Sequence, residues 1–191
     1  MMTIVATQPE RYLMKAMIWL LVLSCGIQCA HAGDSETGSL NSHLEPLRPL
    51  LGKTWKGAFK NSTPDKPIVD VMRWERTLNG QAVRVLHSVN DGVYGGETIF
   101  RWDETKNAVM YHYFTTASFM TTGTLSFADG KTVTHEVVSG TTNGITEVKS
   151  TSEILPDGHY HITTEHLKNG SWEPGREVTY SPDETATVIF K

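Results

Sequence analysis

A chain of 191 residues with 17 basic against 21 acidic side chains carries a formal charge of −4. The excess is small and its members are scattered, so neither nucleic acid nor an anionic membrane surface is an expected partner. The length suits one ordinary domain with a sizeable core.

The N-terminal segment differs in kind from the rest of the chain. Lys15 precedes an apolar run from Ala16 to Leu23, and Ala30-His31-Ala32 supplies a small-x-small cleavage pattern. Residues 1–32 therefore read as a secretory signal peptide cut after Ala32, with Met14 as an alternative start because residues 1–13 are unlike a basic leader. The run is too short for a transmembrane helix, which needs ~20 apolar residues. Val22-Leu23-Ser24-Cys25 also resembles a lipoprotein signal, in which Cys25 would carry the lipid anchor, but the Ala30-His31-Ala32 site is the more complete pattern. The expected localisation is periplasmic or secreted, with an envelope lipoprotein as the alternative. Both cysteines, Cys25 and Cys29, fall inside this segment. A chain starting at Gly33 thus has no disulfide, no thiolate metal site and no cysteine nucleophile.

Residues 33–43 are polar and glycine-rich, a flexible lead-in. Leu44, Leu47, Leu50 and Leu51 then recur at helical spacing, which predicts a short amphipathic helix over 42–51 that Pro46 and Pro49 hold to a turn or two. From Trp55 the chain becomes a series of β-branched and aromatic segments separated by turn dipeptides such as Asn79-Gly80, Asp129-Gly130 and Asn169-Gly170. Asn-Gly and Asp-Gly tolerate the positive φ of tight hairpins, so the punctuation predicts an antiparallel meander. Strands are expected over 54–60, 68–78, 82–89, 94–102, 108–115, 119–128, 132–139, 145–155, 160–167, 175–180 and 187–190. Such a meander exposes two edges unless it closes. The expectation is an all-β, up-and-down barrel of about ten strands, with a short N-terminal helix, over residues 44–191. Charges such as Arg73, Glu75, Lys149 and Glu153 recur on its outward faces and argue against a membrane barrel, which needs an apolar band there.

Several stretches resemble a known group. Leu50-Leu51-Gly52-Lys53-Thr54-Trp55-Lys56-Gly57 is similar to the opening L-x-G-x-W-x-G of calycin-like barrels, the group of lipocalins and nitrobindins, with one extra residue between Gly52 and Trp55. Trp74 to Ala82 resembles the second strand and first hairpin of the same group, and Ile99 to Asp103, Met110 to Phe114, Ser118 to Gly123 and Trp172 to Gly175 resemble a family of bacterial calycin-like barrels often found with signal peptides. The resemblance covers most of residues 44–182 and is architectural, implying the fold and little about function. Nitrobindin-type haem ligation would need a late-barrel histidine, and no flanking motif assigns it to His161 or His166.

Side chains alternate along a strand, so the apolar set of each strand marks its inner face. This places Asp70, Met72, Trp74 and Arg76 inward on the second strand, with Trp55, Gly57 and Phe59 on the first. By the same rule Val83, Val85 and His87 face inward, as do Met110, His112 and Phe114, then Val133, His135 and Val137, then Tyr160, Ile162, Thr164 and His166. An apolar lumen with a few convergent polar groups is the usual form of a small-molecule site. The candidate ligand-binding residues are Trp55, Met72, Trp74, Arg76, His87, His112, His135 and Tyr160, with Arg76 as the orienting charge for an anionic group. The sequence carries no nucleophile elbow, P-loop or metalloprotease motif, and no metal site is expected. His159-x-His161 alone is a weak metal pattern. The resulting expectation is an exported barrel that binds a small, largely apolar ligand. The alternatives are an enzyme using lumen Arg and His for acid-base or haem-dependent chemistry, and an envelope interaction protein without a ligand.

Overall fold

The computed structural model describes residues 37–140 and 143–191. The expected export segment, with the alternative anchor position Cys25, and the first residues of the lead-in lie outside them. Ten strands succeed one another: β1 Thr54–Phe59, β2 Val69–Thr77, β3 Ala82–Val89, β4 Tyr94–Asp103, β5 Ala108–Thr115, β6 Phe119–Ala128, β7 Lys131–Gly140, β8 Ile145–Ile154, β9 Tyr160–Lys168 and β10 Ser171–Pro182. Each pairs antiparallel with its neighbour in sequence, and β1 pairs with β10 over Trp55–Phe59, so the sheet is a closed barrel. Among the described residues no helix is long and apolar enough to cross a membrane.

Turn chemistry decides the hairpins. Asp129 and Gly130 sit at φ 52° and 75°, and Asn169 and Gly170 at φ 51° and 85°, conformations that Asn, Asp and Gly adopt at little cost. The leucine repeat forms a 3-10 helix, Ser42–Leu50, rather than an α-helix, because Pro46 and Pro49 lie within it and have no N–H to donate. Its Leu44, Leu47 and Leu50 are buried in the core with Trp55, Trp74 and Phe100, so the helix plugs one end of the barrel. His43 stacks on Trp102 at 3.5 Å between ring centres and fastens the plug to β4.

The expected strand at 187–190 is absent. With β1 paired to β10, both sides of every strand are occupied and no edge remains for another. The segment instead lies against the β3–β4 hairpin, where the Ile189 N–H donates to Ser88 Oγ at 3.0 Å. The last strand also differs, spanning Ser171–Pro182 with a bulge between Pro174 and Glu177.

The β1 seam depends on Gly57, which lies opposite both Asp70 of β2 and Tyr180 of β10. Tyr180 passes over this glycine to donate its hydroxyl to Asp70 Oδ2 at 2.8 Å. A Cβ at position 57 would stand 2.7 Å from the Thr179 carbonyl oxygen, 2.8 Å from Val178 Cγ1 and 3.0 Å from Tyr180 Cδ1. Gly57→Ala is therefore expected to destabilise the fold by about 2–4 kcal/mol, through overpacking and the loss of one bond to a buried carboxylate. Denaturant unfolding measures this, and a loss below about 0.5 kcal/mol would show that the seam accommodates a side chain.

Candidate functional site

A cavity of about 1200 Å³ fills much of the lumen. It runs from an apolar floor of Trp74, Phe100, Leu125 and Tyr160, next to the helical plug, to a rim that includes Lys60, Ala117 and Asn143. Trp74 and Phe100 stack at 5.8 Å, and Tyr160 meets Trp74 edge-on at 6.0 Å.

One side of the wall is polar and connected. Asp70, fully buried on β2, receives His87 Nδ1 of β3 at 3.0 Å and the Tyr180 hydroxyl of β10. A carboxylate only accepts, so Nδ1 carries the hydrogen on that side, and Nε2 is bonded to the Tyr113 hydroxyl at 2.7 Å. Tyr113 is in turn bonded to the Tyr94 hydroxyl. A chain of hydrogen bonds thus links Tyr94, Tyr113 and His87 to Asp70. Burial raises the Tyr94, Tyr113 and Tyr180 phenols above their ordinary value and keeps them as neutral donors. The same cause pushes Tyr160 up to about 12.

The device at Gly57 recurs. Tyr113 reaches His87 across β4 at Gly96, where a Cβ would lie 2.4 Å from Tyr113 Cε2. Tyr111 reaches across β6 in the row of Gly123 to donate to Glu136 of β7 at 3.0 Å. In each case a strand residue without a side chain lets a tyrosine bond an ionisable group two strands away.

Arg176 completes the site through the β10 bulge. Gly175 and Arg176 together oppose Thr164, whose hydroxyl accepts from the Arg176 N–H at 2.7 Å. Arg176 consequently shares the inward face with buried Val178 and Tyr180 and lines the cavity. Its Nη1 lies 3.9 Å from Asp70 Oδ2, and one third of its side-chain surface stays accessible. Burial works to lower the pKa of this guanidinium, but the oxygens of Tyr180 and Asp70 outweigh it and the group remains a cation.

Of the residues singled out in the sequence, Met72, Trp74, His87 and Tyr160 line the cavity. Trp55 is buried beneath the plug, its Nε1 3.5 Å from the Leu50 carbonyl oxygen. Arg76 is also buried, but it belongs to the closed end, where Nε donates to the Ser39 carbonyl oxygen at 2.7 Å. It does not line the cavity, and the arginine that does is Arg176.

His112 and His135 are on the outside. His112 bonds Thr122 and His135 bonds Glu147 at 2.6 Å, both exposed. The inner sets of β5 and β7 are Tyr111 and Tyr113, and Thr132, Thr134, Glu136 and Val138. Each strand is thus offset by one residue from the expected face, so Met110 and Phe114, and Val133 and Val137, turn outward with the two histidines. On β5 both sets carry aromatic residues, and on β7 the lumen takes the more polar set because Glu136 must meet Tyr111 and Thr121.

Among the histidines of the cavity wall, His87 has both ring nitrogens committed. His166 faces Glu173 through Nε2 at 3.6 Å, and its Nδ1 lies against Gly175, so neither nitrogen is shown open to a haem iron. Among the described residues no group of three or more His, Cys, Asp or Glu is placed to hold a metal ion.

No protein-family model matches the chain, and neither does any curated protein. The crystal structure of Rv2717c from M. tuberculosis is similar in fold, with a TM-score of 0.56 at 15% identity over 76% of this chain and 100% of that one. At that identity the likeness shows a barrel of coarsely calycin-like form and nothing about activity.

Glu136 supplies a pH test of the wall. Burial raises its carboxyl above the ordinary 4.5, against the opposing hydrogen bonds from Thr121 and Tyr111. The folded state then holds this proton more tightly than the unfolded chain, so stability is lost as pH climbs through the raised value, and the penalty is absent below the ordinary one. Glu136→Gln removes the ionisation, and its melting temperature is expected to gain on that of the wild type as pH rises above the ordinary carboxylate value. Parallel curves for the two proteins would contradict the assignment.

Proposed function

We propose that the protein is an exported binding module, periplasmic or secreted, that holds a small, largely apolar molecule in its lumen. The observation that carries this reading is the cavity of about 1200 Å³ inside a closed barrel, walled at its floor by Trp74, Phe100 and Leu125. Protein interiors are ordinarily packed to crystal-like density, so a space of this size forfeits many dispersion contacts that a bound molecule restores. Small-molecule sites have this form, an apolar enclosure with few polar groups. Export rests on the apolar run after Lys15 and the Ala30-His31-Ala32 pattern.

The test starts from protein recovered from the cell envelope and sequenced at its N-terminus, where Gly33 is the expected first residue. A start at Met1 or Met14 in cytoplasmic protein contradicts export. The same material is titrated with the neutral fluorophore N-phenyl-1-naphthylamine, whose emission rises in apolar surroundings. Saturable binding is expected, weakened about tenfold or more in Val148→Trp, whose indole projects from β8 into the cavity. Equal binding by the two proteins would place the fluorophore outside the lumen and sink the reading.

A further inference from the structure

We infer that the lumen selects amphiphiles with a single acidic head group, and that the Arg176 guanidinium holds that head while the tail lies on the Trp74 and Phe100 floor. This rests on the lumen-binding reading above and specifies its ligand class.

The other charged groups in and behind this part of the wall are already engaged. Lys60 pairs with Glu177 at 2.6 Å on the rim. Glu136 accepts from Tyr111 and Thr121. Asp70 has each carboxylate oxygen engaged by a direct hydrogen bond, from His87 and from Tyr180, so the arginine stands beside it as an ion-pair partner without donating a hydrogen bond. Arg176 stands 3.9 Å from Asp70, beyond hydrogen-bond distance, and its guanidinium makes no hydrogen bond to any described residue. A guanidinium has five N–H donors in a rigid fork that matches an anionic oxygen pair. A partly accessible cation with its donors unspent, facing an apolar enclosure, is built to receive an acceptor from a ligand.

The polar chain beside it points the same way. Tyr94, Tyr113 and His87 are bonded to one another and to Asp70, so their polar atoms are engaged within the wall, and Arg176 is the group beside them with donors to spare. The Arg176 cation itself disfavours any second positive charge brought beside it. The bulge fixes where the head group sits. Thr164 holds the Arg176 backbone, and Gly175 leaves no room for a side chain because a Cβ there would meet Thr164 Oγ1 at 2.3 Å. Arg176 stands rimward of the Trp74–Phe100 stack, since Asp70, its neighbour, lies rimward of Trp74 along β2. A ligand thus enters tail first and stops when its head reaches the arginine.

Calorimetric titration with dodecanoate, dodecanol and dodecylamine tests this, because the three share a tail and differ in head charge. The wild type is expected to bind dodecanoate about 10- to 100-fold more tightly than dodecanol, as charge-assisted hydrogen bonds predict, and dodecylamine most weakly. In Arg176→Met the acid should lose its advantage and fall to the level of the alcohol. Arg176→Lys should retain part of the preference. Equal affinities for acid and alcohol in the wild type, or a preference for the amine, would overturn the head-group inference while leaving lumen binding intact. Failure of all three together with the neutral fluorophore would overturn both. The wild-type comparison decides the matter even if Arg176→Met does not fold.

Discussion

The buried carboxylate of Asp70 organises much of this barrel. A charge taken wholly out of water must be met by donors, and here they come from β3 as His87 and from β10 as Tyr180, with Arg176 of β10 close by. These contacts tie β2 to the strand that closes the sheet through β1. They also require Gly57, because Tyr180 reaches Asp70 only over a strand residue with no side chain. Gly96 and Gly123 repeat the arrangement for Tyr113 and Tyr111. The aromatic rings therefore lie flat along the wall rather than across the lumen. In a barrel this small, that leaves room for a cavity where side chains would otherwise meet at the axis.

The two ends of the lumen are built differently, and the chain's local chemistry accounts for it. Two prolines confine the leucine repeat to a 3-10 helix, which presents Leu44, Leu47 and Leu50 to the core as a plug. Arg76 and the lead-in hold that plug in place through Ser39. At the other end the β10 bulge brings Arg176 inside, below the Lys60–Glu177 pair of the rim. Apolar surface at the floor and unspent donors nearer the rim give the cavity a polarity, and it is this polarity that the head-group inference uses.

How much of this could be read from residues alone varies strand by strand. The turn dipeptides and the alternation of Asp70, Met72 and Trp74 against Val71, Arg73 and Glu75 carry real contrast, so the meander, the closure and the inner face of β2 were legible. On β5 the contrast vanishes, because Tyr111 and Tyr113 compete with Met110, His112 and Phe114, and a slip of one residue exchanges the faces. On β7 it is inverted: Glu136 is inside and Val137 outside because a partner across β6 matters more than hydropathy. Arg176 was hidden by the bulge between Pro174 and Glu177, which an expected strand starting at residue 175 does not contain. Its alternation with Val178 and Tyr180 was nonetheless a usable signal. Gly57 was visible only as part of a motif, since its purpose appears once Tyr180 is known to be its neighbour.

The most direct test of the head-group assignment is a crystal structure of the protein with dodecanoate brominated at its terminal carbon, which locates head and tail independently. The carboxylate is expected within about 3.2 Å of the Arg176 guanidinium and the anomalous bromine signal beside Trp74 and Phe100 at the floor. A bromine on the outer surface, or a carboxylate held at the rim by Lys60 with Arg176 untouched, would contradict it.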